Sequence, residues 1–126
     1  MKKDNFNTKV IQFLEQERPV IFYPPLVRML GSIEAGLFLS RLICWNNENA
    51  YFNKGKAEWF SKTINEVKEE LGLSRWEQEK VIKTLKKLSL IETKVMGLPP
   101  RRYFRVRLDK LLEFLIKNSN LQKINK

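Results

Sequence analysis

Two helix-start signals stand eleven residues apart and leave little freedom to the middle of this chain. Thr63-Ile64-Asn65-Glu66 and Ser74-Arg75-Trp76-Glu77 both have the form of a capping box, hydroxyl first and carboxylate three residues on. In such a box the two side chains satisfy backbone N–H groups that a helix start leaves without partners. Ile64, Val67 and Leu71 then repeat at spacings of three and four, and Gly72 stands where a left-handed residue closes a helix. Val81, Ile82, Leu85 and Leu88 share one face of the second helix. Two short helices joined by a tight glycine turn make a helix-turn-helix arrangement.

After Leu90 the apolar period changes from about 3.6 to 2. Ile91, Thr93 and Val95 alternate with Glu92, Lys94 and Met96; Gly97-Leu98-Pro99-Pro100-Arg101 reads as a turn; Phe104, Val106 and Leu108 alternate with Tyr103, Arg105 and Arg107. This predicts a β-hairpin with one apolar and one basic face, its tip stiffened by the two prolines. A helix is expected from about Asp109, carrying Leu111, Leu112, Leu115 and Ile116, before a polar tail over 118–126.

Upstream, Phe6, Val10, Phe13 and Leu14 have helical spacing, and Pro19 stops or redirects the chain. Val20-Ile21-Phe22-Tyr23, closed by Pro24-Pro25, reads as an edge strand or extended arm. Gly31-Ser32 supplies a turn and an N-cap for a helix over 33–46 that is apolar nearly all round and therefore central. Cys44 within it reads as an inert core residue. Asn46-Asn47-Glu48-Asn49 reads as a polar turn, and Ala50–Ser61 as a short strand or packed loop with Lys54-Gly55-Lys56 at an exposed tip.

The expected fold is mainly α with a small β-hairpin wing: a winged helix-turn-helix in a single domain spanning 1–126. Its core covers about 20–108, with extra N- and C-terminal helices at about 6–18 and 109–118.

Charge points to the partner. The 126 residues carry 24 Lys and Arg against 14 Asp and Glu, a net +10. Seven of those ten charges fall in residues 74–107, where ten cations face only Glu77, Glu79 and Glu92. A solvated basic face is the plain reading; an electrostatic footprint for phosphates is the functional one. The chain has no His and one Cys, which excludes zinc sites with His ligands, a His-based triad and a disulfide framework. No phosphate loop or dinucleotide turn occurs, so no enzyme, cofactor or metal is implied. No run approaches the roughly 18–20 apolar residues of a membrane span, and no signal-peptide core follows the basic start. A cytoplasmic protein, or one made by a phage or plasmid inside a cell, without a membrane partner, is expected.

The run Glu58-Trp59-Phe60-Ser61-Lys62-Thr63, then Leu73-Ser74-Arg75-Trp76-Glu77-Gln78-Glu79, Leu85-Lys86-Lys87-Leu88-Ser89-Leu90-Ile91 and Gly97-Leu98-Pro99-Pro100-Arg101-Arg102-Tyr103-Phe104-Arg105-Val106 resembles a family. It is similar to small winged-helix proteins of phages, plasmids and mobile elements, of the replication-initiator or DnaD-like N-terminal type. The likeness covers about residues 20–108. It implies double-stranded DNA as partner and a replication-associated or regulatory role. Ser89 departs from the pattern, since many winged helices carry Gly there; a serine would enter the left-handed region at some cost.

The candidate contacts are Arg75, Trp76, Glu79, Lys80 and Lys83 on the second helix, with Lys94, Arg101, Arg102, Arg105 and Arg107 on the hairpin. The helix would enter the major groove and the hairpin would meet the backbone. Each has a plainer reading. Trp76 can pack on the core, Glu79 can be solvated rather than a cytosine acceptor, Glu77 is a cap, Lys86 and Lys87 can lie on a solvated face, and Arg105 and Arg107 can pair with glutamates of a neighbouring helix. The alternative function is a winged-helix factor that binds protein, as a replisome partner or an inhibitor of a host protein. Either terminal helix can complete the core or form a homodimer interface.

Overall fold

The element order starts from local signals and ends at one buried ring stack. The computed structural model describes residues 3–54 and 58–118. Six helices and three strands run as α1 (Lys3–Leu14), α2 (Pro24–Leu30), α3 (Ile33–Phe52), β1 (Phe60–Ser61), α4 (Ile64–Leu71), α5 (Arg75–Lys87), β2 (Ile91–Met96), β3 (Arg101–Val106) and α6 (Leu108–Asn118). The result is mainly helical, with a three-stranded antiparallel sheet in the order β1-β3-β2. Gly55 and Lys56 of the expected tip, and the tail beyond Asn118, lie outside the described residues.

Both capping boxes form. Thr63 Oγ1 accepts from the Glu66 amide at 3.1 Å while the Glu66 carboxylate accepts from the Thr63 amide at 2.9 Å. Ser74 and Glu77 repeat the exchange at 3.2 and 2.9 Å. Gly72 closes α4 at φ 72°, and Ser89, at φ 63°, takes the left-handed position after α5. That turn sends Leu90 rather than Leu88 into the core: Leu90 is fully buried and Leu88 exposed.

α3 is central, as its all-round apolar character requires. Phe38, Leu39 and Leu42 are fully buried and meet Val67 of α4, Val81 and Leu85 of α5, and the inner face of the sheet. Phe104 of β3 is the hub, edge-on to Phe38 at 6.1 Å and stacked on Phe60 at 6.0 Å. The hairpin pairs Ile91 with Val106 and Thr93 with Phe104, which sets Phe104 and Val106 inward and Tyr103 and Arg105 outward.

The N-terminal half departs from the sequence reading at two points. Val20–Tyr23 joins no sheet, which leaves the arm of the two expected alternatives; its Tyr23 amide donates to the buried Ser40 Oγ at 3.0 Å. Pro24-Pro25 opens a helix instead of closing a strand, because a first-turn position needs no N–H and the fixed φ of proline already suits it. α3 runs through Asn46–Asn49 to Phe52, since Asn49 and Asn53 spend their side chains on Trp59 and on the helix backbone rather than on a turn. Gly36 allows the close approach of α2 to α3: a Cβ there would lie 2.4 Å from Val27 Cγ2 and 2.7 Å from its Cα.

The flanking helices also differ from expectation. α1 forms over Lys3–Leu14, but Phe6, Val10, Ile11, Phe13 and Leu14 all remain exposed, so it does not complete the core. α6 buries Leu111 and half-buries Phe114 and Leu115, leaving Leu112 and Ile116 outside. Leu108 begins α6, half exposed, rather than ending the apolar face of β3.

Candidate nucleic-acid interface

The exposed face of α5 follows from helical geometry. Gln78, Val81 and Leu85 point inward. At 100° per residue, Trp76, Lys80, Lys83 and Lys87 fall on the opposite side. All four are exposed, and Trp76 is 68% accessible. Trp76 therefore does not pack on the core. Its ring lies 5.1 Å beneath the Lys80 ammonium. No carboxylate pairs with Lys80, Lys83, Lys86 or Lys87 among the described residues. Arg75 and Glu79 are coupled on the helix flank at 3.0 Å, so Glu79 is neither simply solvated nor a free acceptor. Glu77 serves as the cap.

The hairpin cations are engaged within the chain. Arg105 binds Glu92 through Nε at 2.8 Å and again through Nη2, and reaches Glu58 at 2.8 Å. Those hydrogen bonds, to Glu92 first and Glu58 second, raise its pKa above the ordinary arginine value. Arg107 lies 3.4 Å from Asp109 and 3.8 Å from Glu92. The bond from Arg107 holds the Asp109 carboxyl below its usual range. So the expected ion pairs of Arg105 and Arg107 exist, but their partners are Glu92 on the adjacent strand, Glu58 before β1 and Asp109 at the start of α6. Arg101 donates to Ser61 Oγ at 3.0 Å and Glu66 at 3.2 Å. Lys94 lies 4.1 Å above the Trp59 ring, with Arg105 also against that indole at 5.4 Å.

Arg102 stands apart from its neighbours. Strand alternation turns it to the core side of β3, next to Phe104. Its Nη2 donates to Gln78 Oε1 at 2.9 Å and its Nε to the Lys62 carbonyl at 3.2 Å. Burial lowers its pKa, which for a guanidinium leaves the charge intact. Gln78 is fully buried and gives its amide hydrogens to the carbonyls of Ile64 (3.0 Å) and Leu73 (2.9 Å). One side chain thus joins the start of α4, the α4–α5 turn and β3. The sequence reading passed over Gln78; its signal was a polar residue in register with Val81 and Leu85.

The arrangement therefore splits the ten candidate residues. Trp76, Lys80 and Lys83 are brought together on an outward face, with Arg75 and Glu79 as a coupled pair on its flank. Arg101, Arg105 and Arg107 are neutralised locally, Lys94 covers an indole, and Arg102 is half-buried. Among the described residues no group of three or more His, Cys, Asp or Glu could hold a metal ion. No helix among them is long and apolar enough to cross a membrane. Comparison with models of known protein families, with curated proteins and with solved structures finds no match.

Proposed function

We propose that this chain is a winged helix-turn-helix protein that binds double-stranded DNA without catalysing a reaction, α5 being the helix that enters the major groove. The observation that carries this reading is the outward face of α5, where Lys80, Lys83 and Lys87 line up with Trp76 and form no ion pair among the described residues, Glu34 facing Lys80 only across the α2–α3 cleft. The order α3-β1-α4-α5-β2-β3, with a glycine turn before α5 and a hairpin after it, fits such a domain. A row of exposed ammonium groups along one face of a helix is what phosphates flanking a groove require. A replication-associated or regulatory role in a bacterial mobile element rests on the family likeness.

The test is fluorescence anisotropy of a labelled duplex at several salt concentrations. Neutralising roughly five to eight phosphates gives a slope of log K against log salt of about −4 to −7. No binding at low salt refutes the reading.

A second reading concerns protein contact. α1 exposes five apolar side chains and α6 adds Leu112 and Ile116, which suits a protein partner or a homodimer. Sedimentation velocity of the chain and of Phe6→Ser/Phe13→Ser reads this: a dimer that the double substitution converts to monomer supports self-association.

A further inference from the structure

The two flanks of α5 are chemically unlike. On the α2–α3 side a cleft of about 270 Å³ has Glu34 and Glu77 in its wall. On the hairpin side a groove of about 610 Å³ lies between the starts of α4 and α5 and the hairpin, and a second of about 350 Å³ continues along α5. The two adjoin at Ile64 and Arg102.

We propose that these two adjoining grooves together are the seat of one sugar–phosphate strand of DNA, with Arg102, anchored on the buried Gln78, as its central phosphate ligand. The outer arginines of the hairpin, Arg105 and Arg107, then lie outside the contact. The proposal rests on the DNA-binding reading and assigns the part of the surface that grips the backbone.

Three observations carry it. The groove is lined by Lys68, Arg75, Lys83, Lys86, Arg101 and Arg102, against Glu79 in its wall and the Glu66 bound to Arg101. Lys68, Lys83 and Lys86 have no ion-pair partner among the described residues. Arg102 is set in place before any ligand arrives. Because both amide hydrogens of Gln78 are spent on backbone carbonyls, its Oε1 is the end that meets Arg102. Arg102 Nη1 keeps its donors, with no hydrogen-bond partner among the described residues. A held guanidinium loses less freedom on binding phosphate than a free one.

The third observation is extent. From Arg75 to Lys86 the helix rises about 16 Å, long enough to run beside several successive phosphates of one strand. A single phosphate would engage one or two of these cations; a strand engages them in series. Ile64 and Ile82 in the wall offer apolar surface to deoxyribose rather than to a bare anion.

The test compares wild type, Lys68→Ala/Lys86→Ala, Arg102→Lys and Arg107→Ala by anisotropy on a labelled 20-base-pair duplex, with the thermal midpoint of each measured alongside. Lys68 and Lys86 are exposed, so that double variant keeps the fold. It should weaken binding at about 0.1 M salt tenfold or more and flatten the salt slope by about 2. Arg102→Lys should weaken binding several-fold without changing the net charge, and Arg107→Ala should stay within twofold. Wild-type affinity and slope in Lys68→Ala/Lys86→Ala overturn the groove while leaving the DNA reading standing. A loss in Arg107→Ala equal to that of the double variant also overturns it. A wild-type chain that binds no duplex, but binds polyglutamate through Lys68 and Lys86, overturns both readings in favour of an acidic protein.

Discussion

Replacing Gln78 by Met should cost about 2.5–4 kcal/mol of folding stability. Methionine has nearly the same length and volume, so no cavity opens and the loss reports on hydrogen bonds alone. Three are removed: two from Nε2 to the Ile64 and Leu73 carbonyls and one accepted from Arg102. The neutral pair contribute about 1 kcal/mol each and the bond to a charged donor about 1.5–3 kcal/mol. The carbonyls cannot be exchanged for apolar atoms, so their desolvation is left uncompensated. Burying a thioether in place of an amide returns about 1 kcal/mol. For 126 residues, an unfolding entropy of about 2.1 cal/mol/K per residue turns that net loss into a fall of roughly 9–15 °C in the thermal midpoint. Urea denaturation followed by circular dichroism measures the first quantity and a thermal melt the second, and the slope against urea should be unchanged, because the core volume is kept. A loss below about 1 kcal/mol would refute the reasoning. It would mean that the two carbonyls find other donors and that Gln78 is not what joins α4, α5 and β3.

Gly36→Ala should destabilise by about 1–3 kcal/mol, the usual range for overpacking, because the added methyl meets the Val27 backbone and not only its side chain; Val27→Ala in the same chain should recover only part of the loss in a urea titration. Ser89→Gly should raise stability by about 0.5–1 kcal/mol, since relief of a side chain held at φ 63° outweighs the greater unfolded-state entropy of glycine; a lowered thermal midpoint would contradict this. Glu66 has its pKa lowered, first by the Thr63 amide and further by the Thr63 hydroxyl, Lys62 and Arg101. A depressed folded-state pKa contributes stability that is present above the unfolded value near 4.5 and lost as pH falls through the lower folded value. Wild-type stability should therefore drop more steeply below about pH 4.5 than that of Glu66→Gln, measured by urea titrations from pH 6 to pH 2.5.

Both ends of α4 and the start of α5 were legible because every group that sets them lies within four residues: hydroxyl, carboxylate and glycine act on neighbouring backbone. The hairpin was legible because alternation is a property of one strand at a time. The start of α2 was not, since Pro24-Pro25 closes a strand or opens a helix with equal local logic. The Tyr23 bond to Ser40, seventeen residues away, accompanies the second choice. Asn46–Asn49 misled for the same reason: polar side chains mark a turn only when they have no tertiary partner, and Asn49 has Trp59.

The sequence by itself determined where the positive charge is concentrated and which face of α5 is apolar, because composition and helical period are local quantities. It did not determine which of those charges face outward unopposed. Arg105 is neutralised by Glu58, forty-seven positions away, and Arg102 is turned inward onto Gln78, twenty-four positions away. Coulomb attraction depends on distance in space, and the fold alone sets that distance. Ten cations in 74–107 suggested a basic hairpin. The packed chain instead spends the outer arginines of its hairpin on its own carboxylates and turns Arg102 onto Gln78, while the lysines of α5 face outward.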